Sequence, residues 1–262
     1  WDNDRHVFFA EDAGMNPAQI APRQHLTISR VMTADADFPS DDVMRFESRN
    51  EIEGGETRIL GHQISIDPAS QMIVQTLEPV AGEAEAPAAD CHVAWSRSGV
   101  QFEGEAVGAG CATLLGADGV SFTLSKTELW VAQNGPDGRI EARMRKARPF
   151  ECWTAILRDA SHGDSGAGSD DWWFRRGVKL HDQGGVAVLE TDEQPPREVR
   201  LKLRDVDWPY GSNRPSLTLY VYEGDSDRAV SYAWGEASAE RIGINLRWIQ
   251  ASCAHTPDMP AD

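Results

Sequence analysis

The sequence is short of positive charge. Its 262 residues include 25 Lys or Arg against 42 Asp or Glu, a formal net charge of −17. A field of that sign repels phosphate backbones and anionic lipid surfaces, so nucleic acid is excluded as a partner and an acidic membrane is disfavoured. Lysine is scarcest: only Lys126, Lys146, Lys179 and Lys202 occur, which reads as compositional bias before function. No apolar run approaches the roughly 20 residues of a membrane-spanning helix, so no transmembrane segment is expected.

Paired metal-ligand spacings are also missing. None of Cys91, Cys111, Cys152 and Cys253 forms a Cys-x-x-Cys pair, and His6, His25, His62, His92, His162, His181 and His255 show no His-x-His or His-x-x-x-His spacing. The sequence therefore specifies no zinc site. The acidic loop Asp35, Asp37, Asp41, Asp42 lacks the glycine and terminal glutamate of a calcium loop and reads as a solvated turn. Gly163-Asp164-Ser165-Gly166 looks like the nucleophile segment of a serine protease. It continues as Ala167-Gly168-Ser169, and no upstream histidine stands in an Ala-Ala-His-Cys context. No nucleophile, base and orienting group stand together at usable spacing. This points to binding or assembly over catalysis.

What is present is β patterning. Apolar residues make up 40% of the chain, enough for a real core. The first 25 residues show no clear periodicity beyond a short helical turn around Pro17 to Ile20. From Leu26 onward, short runs bounded by Gly, Pro and Asp read as strands and turns. These are Val43 to Ile52, Ile59 to Ile66 and Met72 to Leu77, then Val120 to Leu124, Glu128 to Ala132, Arg139 to Arg145 and Phe150 to Leu157. The clearest is a half-buried hairpin. Cys91, Val93 and Trp95 alternate with His92, Ala94 and Ser96, Ser98-Gly99 turns the chain, and Val100 and Phe102 resume the alternation. Beyond a Gly/Ser/Asp-rich linker, Val186 to Leu189, Val199 to Leu203, Leu217 to Val221, Val230 to Trp234 and Ile242 to Trp248 form a second set.

The expected fold is thus all-β, in two antiparallel modules: 1–160, a linker 161–171, a smaller sandwich-like module 172–256, and a tail 257–262. Four dispersed cysteines read as two disulfides in an exported protein, with three pairings possible. A chain beginning at Trp1 reads as one whose signal peptide has been removed, placing it in the periplasm or outside the cell.

Residues 91 to 139 carry the most specific signal. Cys91-His-Val-Ala-Trp-Ser-Arg-Ser-Gly99-Val-Gln-Phe-Glu-Gly104, then Gly110-Cys111, then Thr123 to Glu128, resembles the T-type phycobiliprotein lyases (the CpcT/CpeT chromophore lyase family). The likeness covers about 50 residues and fades after residue 160. The family's Trp-Asp-Arg-Gly turn is replaced here by Trp130-Val-Ala-Gln-Asn134-Gly135. The resemblance implies a calycin-like barrel related in shape to lipocalins, with a bilin or other tetrapyrrole as ligand. It implies that Cys91 and Cys111 are neighbours, expected here on adjacent strands. Cys152–Cys253, ending the two modules, would then tie them together.

On this reading Trp95, Phe102 and Trp130 line the cavity. Arg143 or Arg145, from the one basic cluster, meets a ligand carboxylate; the plainer reading of that cluster is a solvent face balanced by Glu141. Trp172 and Trp173 cannot both face inward on one strand, so one is expected at a partner contact. The alternative to a pigment binder is a non-catalytic accessory subunit of a periplasmic or membrane-associated complex, docking through the second module.

Overall fold

A computed structural model describes residues 1–31, 43–67, 69–70, 72–80, 90–158, 169–207 and 214–257. The acidic loop at 35–42, the Gly-Asp-Ser-Gly segment and most of the expected linker lie outside them. The chain divides into two compact units, the first Trp1–Lys146 and the second beginning at Ala147. The boundary therefore falls before, not after, the strand over Phe150 to Leu157, which the sequence reading gave to the first module.

The first unit is one antiparallel sheet of nine strands in chain order. They are β1 (Gln24–Arg30), β2 (Met44–Ile52), β3 (Arg58–Ile66), β4 (Ile73–Pro79), β5 (His92–Ser98), β6 (Gln101–Val107), β7 (Ser121–Leu124), β8 (Glu128–Gly135) and β9 (Gly138–Arg145). The sheet curls into a half-barrel. Its two edges are not left bare: Asp2 forms antiparallel bridges to both His25 on β1 and Arg145 on β9. The Asp2 and Arg145 backbones exchange hydrogen bonds of 2.9 and 2.8 Å, and the Leu26 amide donates to the Trp1 carbonyl at 2.8 Å. Helix α1 (Asp4–Asp12) follows and packs against β9, burying Val7 and Ala10. The sequence gave no warning of it, because two small apolar contacts make no visible stripe. The helical turn foreseen at Pro17 is present as a 3-10 turn, Pro17–Gln19.

Within this sheet, Trp95 on β5 lies opposite Gly104 on β6. A Cβ at Gly104 would come within 2.8 Å of the Trp95 ring and of the Val93 side chain. Glycine here is what lets the indole lie flat against the neighbouring strand. The Cys91–Cys111 disulfide forms, with Cα atoms 4.7 Å apart. It does not join two strands, as expected; it joins the residue before β5 to the first residue of a short helix, α2 (Cys111–Leu115). Gly108 makes that turn possible. Its φ is +125°, and a side chain there would strike the Asp90 carbonyl.

The second unit holds β10 (Pro149–Leu157), β11 (Trp172–His181), β12 (Gln183–Glu190), β13 (Glu198–Asp207), β14 (Pro215–Glu223), β15 (Ser231–Glu236), β16 (Arg241–Asn245) and β17 (Ile249–His255). They form two four-stranded antiparallel sheets, ordered β11-β10-β17-β16 and β12-β13-β14-β15. Both sheets contribute to a single core. Phe150, Ile156, Leu180 and Ile249 come from one, and Val199, Leu201, Leu203, Leu217, Leu219 and Val221 from the other. The expected strand Ile242 to Trp248 is in fact β16 and a turn, with β17 beyond it.

Cys152 and Cys253 are register partners on β10 and β17, with Cα atoms 3.9 Å apart, and are disulfide-bonded. This pairing was expected to tie the modules together. It lies wholly within the second unit, because β10 belongs to that unit's sheet.

Candidate functional site

The concave face of the nine-stranded sheet lines a cavity of about 640 Å³. That size is within the usual range for a small-molecule site. Strand alternation builds its wall. Leu26 and Ile28 face inward from β1, Leu60 and Ile64 from β3, Leu129 and Val131 from β8, and Ile140, Ala142 and Met144 from β9. Trp95 and Phe122 close one side with ring centroids 5.8 Å apart. Leu114, Leu115 and Gly116, at the end of α2, also line it, so the Cys91–Cys111 disulfide holds part of the cavity wall.

A strip of polar side chains crosses this apolar interior. Trp95 Nε1 donates to Gln75 Oε1 at 2.8 Å. The Gln75 amide nitrogen lies 2.7 Å from His62 Nδ1, and His62 Nε2 lies 2.6 Å from Ser48 Oγ. One assignment of hydrogens satisfies all three contacts. Gln75 donates to Nδ1, His62 carries its proton on Nε2 and donates to Ser48, and the Ser48 hydroxyl proton remains as a donor. Burial holds the imidazole neutral, its pKa pushed down to about 4. Two residues along β2, Asn50 donates through Nδ2 to Gln24 Oε1 at 2.9 Å, and its own Oδ1 is buried with no partner. A buried orphan acceptor of this kind invites a water or a ligand N–H.

Arg58 is the one guanidinium among the cavity-lining residues. It donates to the Leu115 carbonyl, and Glu56 also lines the cavity.

The residues expected to make this site separate into two groups. Trp95 lines the cavity. Phe102 shares the inward face through its register partner Leu124, but does not reach the cavity. Trp130 alternates with inward-facing Leu129 and Val131, and so lies on the outer face. There the Arg143 guanidinium stacks over its ring at 4.4 Å and pairs with Glu141 at 2.7 Å. Arg145 has the same parity as Arg143, alternating with inward Met144. These two arginines thus belong to an outer face balanced by Glu141, and neither is placed to meet a ligand inside the sheet. The polar strip was missed because its members are 13 and 14 residues apart in sequence. A signal was nevertheless present. His62 sits in phase with Leu60 and Ile64, and Gln75 in phase with Ile73 and Leu77, so both polar residues occupy inward positions.

In the second unit, Trp172 and Trp173 are both half-buried, and Trp173 packs against the core. Among this unit's described residues the exposed aromatic ones are Trp153, Phe174, Tyr232 and Trp234. Among the described residues no helix is long and apolar enough to cross a membrane. Compared with protein-family models, curated proteins and solved structures, the chain finds no match.

Proposed function

We propose that the first unit is a calycin-like barrel that binds one mainly apolar small molecule in its interior. A bilin or related open-chain tetrapyrrole is the ligand class suggested by the likeness of residues 91–139 to the T-type lyases. The observation that carries the proposal is the cavity of about 640 Å³, lined mainly by apolar side chains and crossed by one hydrogen-bonded strip. A packed core of the same strands would leave no such space. The strip supplies orientation: the Ser48 hydroxyl donates to a ligand carbonyl, and the Asn50 carbonyl accepts from a ligand N–H. Arg58 meets a carboxylate at the cavity wall, the role first sought at Arg143 and Arg145. The reading is of a binder rather than a lyase: His62 and Ser48 lie 2.6 Å apart in the cavity, but it is an amide, Gln75, that donates to His62 Nδ1, so Nε2 carries the proton and donates to Ser48 instead of taking a proton from it. Two disulfides suit an exported protein in the periplasm or outside the cell.

Titration of the intact, oxidised protein with biliverdin tests this, followed by tryptophan quenching and the visible band. Quenching at about micromolar ligand is expected, corresponding to about 8 kcal/mol of binding. Leu60→Trp, which fills the cavity from β3, should abolish it, and Arg58→Gln should weaken it about tenfold. Trp130→Ala and Arg143→Ala should leave it unchanged. No quenching in the wild type, or equal binding by Leu60→Trp, would refute the proposal.

A further inference from the structure

The outward face of the β12-β13-β14-β15 sheet differs from an ordinary solvent face. Antiparallel register sets Val186, Lys202, Tyr220 and Tyr232 in one row across four strands. Val188, Arg200 and Tyr222 form the next row, and Arg204, Thr218 and Trp234 the row on the other side. The Tyr220 ring lies 6.1 Å from Tyr232 and 6.4 Å from Tyr222, and the Arg200 guanidinium stands 5.4 Å over Tyr222. Tyr232 is 63% exposed and Trp234 72% exposed. Their strand neighbours of opposite parity, Leu201, Leu203, Leu217, Leu219 and Val221, already fill the core. The aromatic rings are therefore surplus to the packing of this unit.

We propose that this face binds a polysaccharide bearing carboxylates. Four aromatic rings on one sheet face, Tyr232 and Trp234 exposed and Tyr220 and Tyr222 half-buried, offer π-faces for the C–H faces of sugar rings. Arg200, Lys202 and Arg204 run down β13 beside them, Arg200 held in place by the Gly224 and Ser226 carbonyls with Glu198 3.8 Å away, and Arg pairs carboxylates bidentately. Charge placement decides between occupants. The cores of protein–protein interfaces are depleted in charged residues, lysine especially, whereas here Lys202 sits mid-patch between Val186 and Tyr220. A hydrated, hydroxyl-rich ligand tolerates that arrangement. Nucleic acid carries a charge at every nucleotide and is repelled by a chain of formal charge −17. A polymer with sparser carboxylates feels mainly the local cations, because screening acts over about 8 Å at physiological salt.

Native affinity electrophoresis of the whole oxidised protein tests the proposal, with polygalacturonate, neutral dextran, dextran sulfate or oligothymidylate in the gel. Retardation by polygalacturonate and not by neutral dextran is expected. Tyr232→Ala combined with Trp234→Ala should weaken it by about tenfold or more. Lys202→Gln should weaken it a few-fold and lessen its salt dependence. The altered side chains are on the surface, and a thermal melt matching the wild type checks that the variants fold. Three results overturn the proposal. One is no retardation by polygalacturonate, which would leave the face to a protein partner. Another is undiminished binding by the double variant. The third is equal or stronger retardation by dextran sulfate or oligothymidylate, which would reduce the face to a charged patch.

Discussion

The two units use the same material, short antiparallel strands with alternating side chains, to opposite ends. In the second unit the inward residues of two sheets meet and exclude everything else. Val199, Leu201, Leu203, Leu217, Leu219, Val221, Ile249 and Cys253 are completely inaccessible. In the first unit a single sheet curls, its inward residues line a hollow, and the fully buried cluster shrinks to Leu77, Cys91, Val93 and Cys111 with partly buried neighbours around it. The difference teaches where polar groups can go. A filled sandwich core would impose a heavy penalty on an imidazole. A hollow can carry His62, provided each ring nitrogen finds a partner.

The disulfides offer the largest test of that contrast. Cys152 and Cys253 are 101 residues apart in sequence, Cys91 and Cys111 only 20. If bridges act by constraining the unfolded chain, replacing Cys152 and Cys253 with alanine should destabilise the second unit by about 4–5 kcal/mol, against about 3 kcal/mol for Cys91 and Cys111. Urea titrations of the two double variants measure both. A larger loss from the shorter loop would contradict this account.

Next in size is a core truncation. Leu201→Ala in the filled sandwich should cost about 3–4 kcal/mol through lost burial and an unfilled void. The corresponding truncation of a cavity-lining side chain, Leu60→Ala, should cost about 1–2 kcal/mol, since it only enlarges existing space. Equal losses would mean that the first unit is as tightly filled as the second.

The hollow also predicts a pH dependence. His62 has a pKa of about 4 in the folded state, against 6.5 as its ordinary value. Between those pH values the unfolded chain binds the proton and the folded one does not, so stability rises with pH there. The contribution is complete above pH 6.5 and about 3 kcal/mol of it is lost on acidification to pH 4. Denaturation midpoints across that window should show the slope in the wild type and lose it in His62→Leu. An unchanged slope in the variant would assign the effect to other groups.

The smallest effect is expected outside the barrel. Trp130→Ala removes a half-buried cation–π contact with Arg143 and should cost about 1 kcal/mol, with ligand affinity unaltered. A marked loss of affinity would place Trp130 back in the site.

Much of the fold was legible because period-two alternation is a local property. The hairpin from Cys91 to Phe102 and the strands from β7 to β10 are seen in the residues themselves. Which sheet a strand joins is not local. Phe150 to Leu157 reads as a strand wherever it lies, and only its pairings with β11 and with β17, the latter about a hundred residues later, assign it to the second unit. β17 was hidden because Leu246 and Trp248 continue the apolar alternation through the turn that precedes it. The site was legible in part. Trp95 declared itself by alternation, while Phe102 shares its face without reaching the cavity and Trp130, Arg143 and Arg145 proved to be on the other face. A two-residue period fixes relative parity along each strand, but not which parity turns inward.

The bridges made by Asp2 have one more consequence. A curled sheet with two free edges presents two rows of unpaired amides and carbonyls, each a template for strands of other molecules. Here a few residues ahead of α1 occupy both edges at once. They act as a clasp, and the property they safeguard is solubility: with the clasp undone, the first unit would retain most of its internal hydrogen bonds and still expose β1 and β9 as seeds for fibrous assembly.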